Sequence, residues 1–317
     1  MPIVNTEVPI TSVRNQRYLQ QIAEQYPFTK LEKIGTTDFQ RPIWMLTVGT
    51  GKRHVLFTAA HHANEWITAL VLLKYAEDLA EAIRTNGILF GQRAKEMAAA
   101  VTIHLIPLVN PDGVDLVTGA IQPGEGQYQM AQELAENYPN IPFPAGWKAN
   151  LLGVDLNLNY PAGWLRAREI KFSQGFTRPG PRDYVGRAPL DQEETDELAE
   201  LTEELDPDLI LAYHSQGKEI YWQFQDYVVP GAKELGEVMA RVSGYTLAEP
   251  EYASGFAGYK DWFIQKFRRP GYTVEVGSGT NPLPLSQFPE IYRDNVPLLN
   301  IAALGLQKPI DNVSKTI

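Results

Sequence analysis

Two nearly continuous apolar runs, residues 101–109 and 209–213, read as strands buried on both faces. A strand of that kind needs helices above and below its sheet, and the rest of the chain alternates accordingly. Helical periodicity covers 11–25, 66–84, a segment opening at Asp191 and running through Leu205, 231–242 and 261–267. In the second of these, Leu70, Leu73, Tyr75 and Leu79 form an apolar stripe, and Leu198, Leu201 and Leu205 do so in the third. Residues 285–306 read as a closing helix interrupted near Pro297, while 43–48, 54–58, 219–224 and 272–276 read as further strands. The expected fold is α/β: a single domain over 1–317 with a mixed, largely parallel sheet covered on both faces. Within it, residues 1–40 supply a helix and a strand.

Three segments punctuate this pattern. Asn110-Pro111-Asp112-Gly113 reads as a turn, and 119–146 and 162–189, polar and rich in Gly and Pro, read as long loops. Asp191-Gln192-Glu193-Glu194 has capping-box spacing with Asp in place of Ser or Thr. The nine acids between 191 and 206 read as a solvated helix face rather than a cation site.

Composition removes several classes of function. With 44% hydrophobic and 21% charged residues among 317, the chain is globular rather than disordered. Its lack of cysteine excludes disulfide frameworks, Cys-based zinc knuckles and thiol nucleophiles. A net charge of −10 argues against nucleic acid as a partner. No apolar run approaches the 18 or more residues of a membrane span, so no membrane partner is expected. The first residues resemble no secretory signal, which favours a cytoplasmic location.

The chemistry concentrates in five histidines and one buried acid. His62-Ala63-Asn64-Glu65 sets an imidazole and a carboxylate three residues apart, a spacing that lets both reach one ion in a first helical turn. His214 ends an apolar strand, and ligands gather at the carboxyl ends of strands in α/β sheets. Two His and one Glu make a standard catalytic zinc set, although the H-x-x-E spacing or a strand-end histidine taken alone more often marks an ordinary hydrogen-bonded group. His54 and His104 suit that plainer role, and strand alternation would turn His61 to the face opposite His62. Glu275 lies in Thr273-Val274-Glu275-Val276, where an unpaired carboxylate is costly, so it is either paired or functional.

In order along the chain, Ala60-His61-His62-Ala63-Asn64-Glu65-Trp66-Ile67, Pro107-Leu108-Val109-Asn110-Pro111-Asp112-Gly113, Gly153-Val154-Asp155-Leu156-Asn157, His214-Ser215 and Thr273-Val274-Glu275 resemble the zinc carboxypeptidase family of the carboxypeptidase A type. The resemblance implies an eight-stranded mixed sheet and one zinc ion held by His62, Glu65 and His214. It also implies peptide hydrolysis with Glu275 as general base. Lys148, in Trp147-Lys148, falls where the family carries an arginine facing the developing oxyanion. Asn157 falls at the asparagine that helps to clamp a terminal carboxylate, but Leu158 replaces the arginine beside it, and leucine makes no such contact. Lys260 aligns with the residue that selects the side chain after the scissile bond, and Tyr252 with the family's mobile tyrosine.

This combination looks like the bacterial branch that cleaves γ-D-glutamyl bonds to diaminopimelate, so the expected partner is a peptide or muropeptide substrate. Two alternatives remain open from the sequence: a zinc carboxypeptidase preferring acidic or long polar C-terminal residues, and a non-catalytic binder of peptidoglycan stems.

Overall fold

A computed structural model of the chain describes residues 2–306; Met1 and residues 307–317 of the expected domain lie outside the described residues. The helices are α1 (Ser12–Gln25), α2 (Ile67–Thr85), α3 (Ala94–Ala100), α4 (Pro111–Val117), α5 (Gly126–Ala135), α6 (Trp164–Ser173), α7 (Glu193–Leu205), α8 (Ala232–Ser243), α9 (Tyr259–Phe267) and α10 (Phe288–Leu304). The strands are β1 (Lys30–Thr36), β2 (Pro42–Val48), β3 (Arg53–Ala59), β4 (Ile88–Leu89), β5 (Gln92–Arg93), β6 (Val101–Ile106), β7 (Leu209–His214), β8 (Glu219–Tyr221), β9 (Thr246–Ala248) and β10 (Gly271–Glu275). Eight of them form one sheet in the order β1-β2-β6-β3-β7-β10-β8-β9, and β4 and β5 make a separate hairpin. The central strands β6, β3, β7 and β10 run parallel, whereas β1, β2 and β8 join antiparallel. The fold is therefore α/β with a mixed, mostly parallel eight-stranded sheet.

Alternation along the central strands divides the interior. Val55, Phe57, Leu209, Leu211 and Tyr213 meet α1, α2, α8 and α10 on one face, while Leu56, Ile210 and Ala212 meet α6, α7 and α9 on the other. Covered by neighbours all round, α2 is buried beyond a single stripe: Leu70, Leu72, Leu73 and Leu79 have no exposed surface. Each contributes about 1.5–3 kcal/mol by leaving water.

Local chemistry overrides the sequence pattern at several places. The run 101–109 stops being strand at Ile106. Asn110-Pro111-Asp112-Gly113 is no turn but the start of α4: the Asn110 side chain accepts from the Gly113 N–H at 2.9 Å, and Pro111 takes the first turn, where its missing N–H costs nothing. Gly113 is required there because a Cβ would lie 2.5 Å from the Ala149 carbonyl. The two expected long loops each contain a helix, α5 and α6.

Asp191 makes no capping box. It accepts the N–H groups of Arg187 and Ala188, while Gln192 takes the N-cap position of α7. Nor does Pro297 interrupt α10, which runs unbroken from Phe288 to Leu304; the carbonyl left without its helical partner is that of Arg293, an exposed residue. Among the described residues no helix is long and apolar enough to cross a membrane.

Candidate metal centre and catalytic cleft

The carboxyl ends of the parallel strands converge. Ala59 at the end of β3 pairs with Tyr213 of β7, and Glu275 at the end of β10 pairs with His214. After β3 the backbone turns at Ala60, whose φ of 53° is in the left-handed region, and a single 3₁₀ turn over Ala63–Glu65 follows. Asn110 secures this bend by donating to the carbonyls of His61 and Ala149, both at 3.0 Å. The turn brings His62 and Glu65 back over the end of β7.

There the three expected ligands meet. The Nδ1 atoms of His62 and His214 are 3.1 Å apart, with Glu65 Oε1 2.9 Å from the first and Oε2 3.0 Å from the second. One donor atom from each of the three lies within 4.8 Å of the others, and all three side chains are buried. Both imidazoles aim the same nitrogen at one carboxylate, so the group can hold a divalent ion, and two His with one Glu is a donor set suited to zinc. The opposite nitrogen of His62 is 3.0 Å from Asp155 Oδ1, the carboxylate–histidine arrangement that orients a metal ligand and raises its basicity. Asp155 is itself held by the Asp183 N–H at 3.1 Å, and Glu65 by the Ser215 N–H at 3.1 Å.

The electrostatics follow from burying these charges together. Burial alone would depress the His62 imidazole, but Glu65 and Asp155 outweigh it and raise its pKa to about 9. Burial opposes ionisation of Glu65 and Asp155, yet His62 and Lys148 hold both well below the usual carboxylate range. Glu275 goes the other way: burial and then the Glu65 charge push it up to about 8. A metal ion in the group would reverse part of that rise, because a nearby cation favours the carboxylate.

Lys148 reaches the same place, its Nζ 3.2 Å from Glu65 Oε1. Asn157 is partly committed, since its Oδ1 accepts the Tyr259 N–H at 3.0 Å at the start of α9. Leu158 is buried among the apolar residues on the α9 side of the sheet, so the position of the missing arginine offers no donor at all. Tyr252 is exposed at the rim of a cavity of about 620 Å³, also lined by Gln223, Asp226 and Glu249, and its hydroxyl accepts from Arg166 at 3.3 Å. A larger hollow of about 870 Å³, between the N-terminal arm and α1, shares no residue with the metal group.

Two expectations change here. Lys260 points inward, but its charge is already matched: Nζ lies 2.5 Å from Asp261 Oδ1 and 2.6 Å from the Gln223 carbonyl. A substrate carboxylate would have to displace a neighbour fixed next to it in the chain. His61 does not turn to the opposite face, because the left-handed Ala60 breaks strand alternation, and its ring stacks on His214 with centroids 5.6 Å apart. Sequence reasoning also passed over Asp155. Its signal was an acid between Val154 and Leu156 in a motif otherwise read only for Asn157.

Comparison with known proteins agrees with this geometry. The model of a family described as zinc carboxypeptidase matches residues 16–297. A γ-D-glutamyl-L-diamino acid endopeptidase of Lysinibacillus sphaericus is 40% identical over 277 residues, 87% of this chain and 67% of that protein. An uncharacterized protein of Bacillus subtilis, YqgT, is 36% identical over 279 residues, 87% and 72% of the two chains. Among solved structures, bovine thrombin-activatable fibrinolysis inhibitor superposes with a TM-score of 0.71 at 16% identity, covering 94% of this chain and 97% of that one. The murein-tripeptide amidase MpaA of Escherichia coli O157 gives 0.55 at 19% identity, covering 88% and 93%.

Proposed function

Given that the chain belongs to the zinc carboxypeptidase family and is a peptide hydrolase, we propose that it cleaves peptidoglycan stem peptides at the γ-D-glutamyl-diaminopimelate bond, with His62, Glu65 and His214 holding one zinc ion. The observation that carries the bond assignment is the extended similarity to the Lysinibacillus sphaericus endopeptidase, whose name specifies a γ-D-glutamyl bond to an L-diamino acid, the class to which diaminopimelate belongs. The burial of Leu158 supports it, since a cleft with no arginine at the clamping position is poorly equipped to hold every substrate by a free C-terminus.

The chemistry that zinc supplies in a three-ligand site is Lewis acidity, toward a water and toward a carbonyl oxygen. The chain's own residues do the rest. Glu275, beside His214 at the strand ends, takes the proton of the attacking water and returns it to the leaving nitrogen. Lys148 brings a positive charge to the carbonyl oxygen as that oxygen gains negative charge. Asp155 keeps His62 in the tautomer that presents Nδ1. Asn157 and Tyr252 line the approach of the substrate.

A panel of muropeptides set beside N-acylated dipeptides, with products read by mass spectrometry, tests the reading. Cleavage between D-glutamate and the diamino acid is the expected result. Release of only a terminal amino acid from ordinary peptides would instead make the chain a carboxypeptidase, and binding of stems without turnover in the metal-loaded protein would make it a binder.

A further inference from the structure

Resting on that reading, we infer that Arg182 is the substrate-anchoring cation of this cleft and receives the free α-carboxylate of the γ-linked D-glutamyl residue. That carboxylate is present only because the scissile bond uses the γ-carboxyl. It lies two methylenes and one Cα from the scissile carbonyl, on the acyl side, where an α-linked peptide carries a charge only if that residue has an acidic side chain.

The position of Arg182 meets this need. The carbonyl of the preceding Pro181 accepts the N–H groups of Lys148 at 2.7 Å and Ala149 at 3.0 Å, so Arg182 lies along the segment that delivers Lys148 to Glu65. Its neighbour Asp183 donates its N–H to Asp155, which in turn holds His62, so the same short segment touches the metal group from a second side. The guanidinium is built rather than loose. Asp183, buried with a left-handed φ of 65°, takes Arg182 Nε on one oxygen and Lys171 Nζ on the other, each at 2.6 Å. Arg182 remains 42% exposed in its side chain, and its two terminal nitrogens make no hydrogen bond among the described residues. They form the fork that suits bidentate capture of a carboxylate.

The other cations nearby are engaged: Lys148 with Glu65, Lys260 with Asp261, Lys171 with Asp183. Leu158 offers nothing either, so among these positions Arg182 is the cation with donors to spare for the acyl-side carboxylate.

The test compares an N-acyl-γ-D-glutamyl-diaminopimelate substrate with the same molecule whose glutamyl α-carboxyl is a carboxamide. Each is measured on the zinc-loaded wild type, Arg182→Met and Arg182→Lys, with thermal melting to confirm folding. The wild type should prefer the acid by roughly 10- to 100-fold in kcat/KM, the range of a charge-assisted hydrogen-bonded pair. Arg182→Met should lose that preference, chiefly through KM for the acid, with the amide changed less than about threefold, and Arg182→Lys should recover part of it. A wild type indifferent to amidation, or an equal loss on both substrates in Arg182→Met, overturns the assignment and leaves γ-glutamyl cleavage standing. No turnover of either γ-glutamyl substrate by the zinc-loaded wild type overturns the muropeptide reading itself, and the role of Arg182 with it.

Discussion

Two pairs of histidines, one within the sheet and one at the ends of its strands, have the same separation and opposite surroundings. His54 and His104, on adjacent strands β3 and β6, have ring nitrogens 3.1 Å apart and stacked rings, as near as the nitrogens of His62 and His214. The first pair is completed by the Thr47 hydroxyl, 3.0 Å from His104. The second is completed by two carboxylates, Glu65 and Asp155. With no carboxylate in contact, burial and the neighbouring His54 depress His104 to about 4, outweighing the opposing charge of Glu32, and the pair's role is structural. With two acids, His62 is raised to about 9. Proximity of imidazoles therefore does not make a metal site; what does is a carboxylate at their meeting point and another behind one ring, at the end of the strands rather than within them.

The contrast is broken most severely at the metal ligands. His214→Ala should reduce hydrolysis by at least roughly 10³-fold, since the several kcal/mol supplied by a bound metal is lost, while His54→Ala should leave turnover unchanged in the folded fraction. Steady-state assays of both variants check this. Next in size is Glu275→Gln, for which kcat should fall roughly 10²- to 10⁴-fold with the zinc content unaltered, because proton transfer is removed and the ligands are not. Metal analysis beside kinetics separates the two losses.

Asp155→Asn sharpens the comparison by making the second pair resemble the first. Zinc affinity should weaken roughly 10- to 100-fold, as measured by competition with a chromophoric chelator. The remaining prediction concerns stability rather than activity, at His104. Its folded pKa is below the unfolded value, so its contribution to stability is intact above pH 6.5 and is lost as the pH falls through about 4. The loss reaches roughly 3 kcal/mol at the low end. His104→Gln should flatten the wild-type difference in urea stability between pH 7 and 4.5 by that order.

The parts legible in the sequence were those written in strand patterns and strand ends. His214 and Glu275 stood out because polar groups terminate or interrupt apolar runs, His62 and Glu65 because of their three-residue spacing, and the structure gathers those residues at the carboxyl end of the central strands. What was not legible depends on neighbours distant in the chain or on single backbone angles. The commitment of Lys260 to Asp261 requires the side-chain path, since adjacent opposite charges often point apart. The reorientation of His61 hangs on one left-handed residue, Ala60. Asn110-Pro111-Asp112-Gly113 carries turn and helix-start signals alike, and the packing of Gly113 under Ala149 decides between them. Arg182 lay in a polar segment whose only sequence signal was its length and its Gly and Pro content.

Zinc stoichiometry by equilibrium dialysis and elemental analysis tests the metal centre most directly, on the wild type and on His62→Ala, Glu65→Gln, His214→Ala and His54→Ala. One zinc per chain in the wild type and in His54→Ala, with marked loss in each of the other three, is the predicted result. A wild type that binds no zinc, or three ligand variants that all retain it undiminished, would contradict the account.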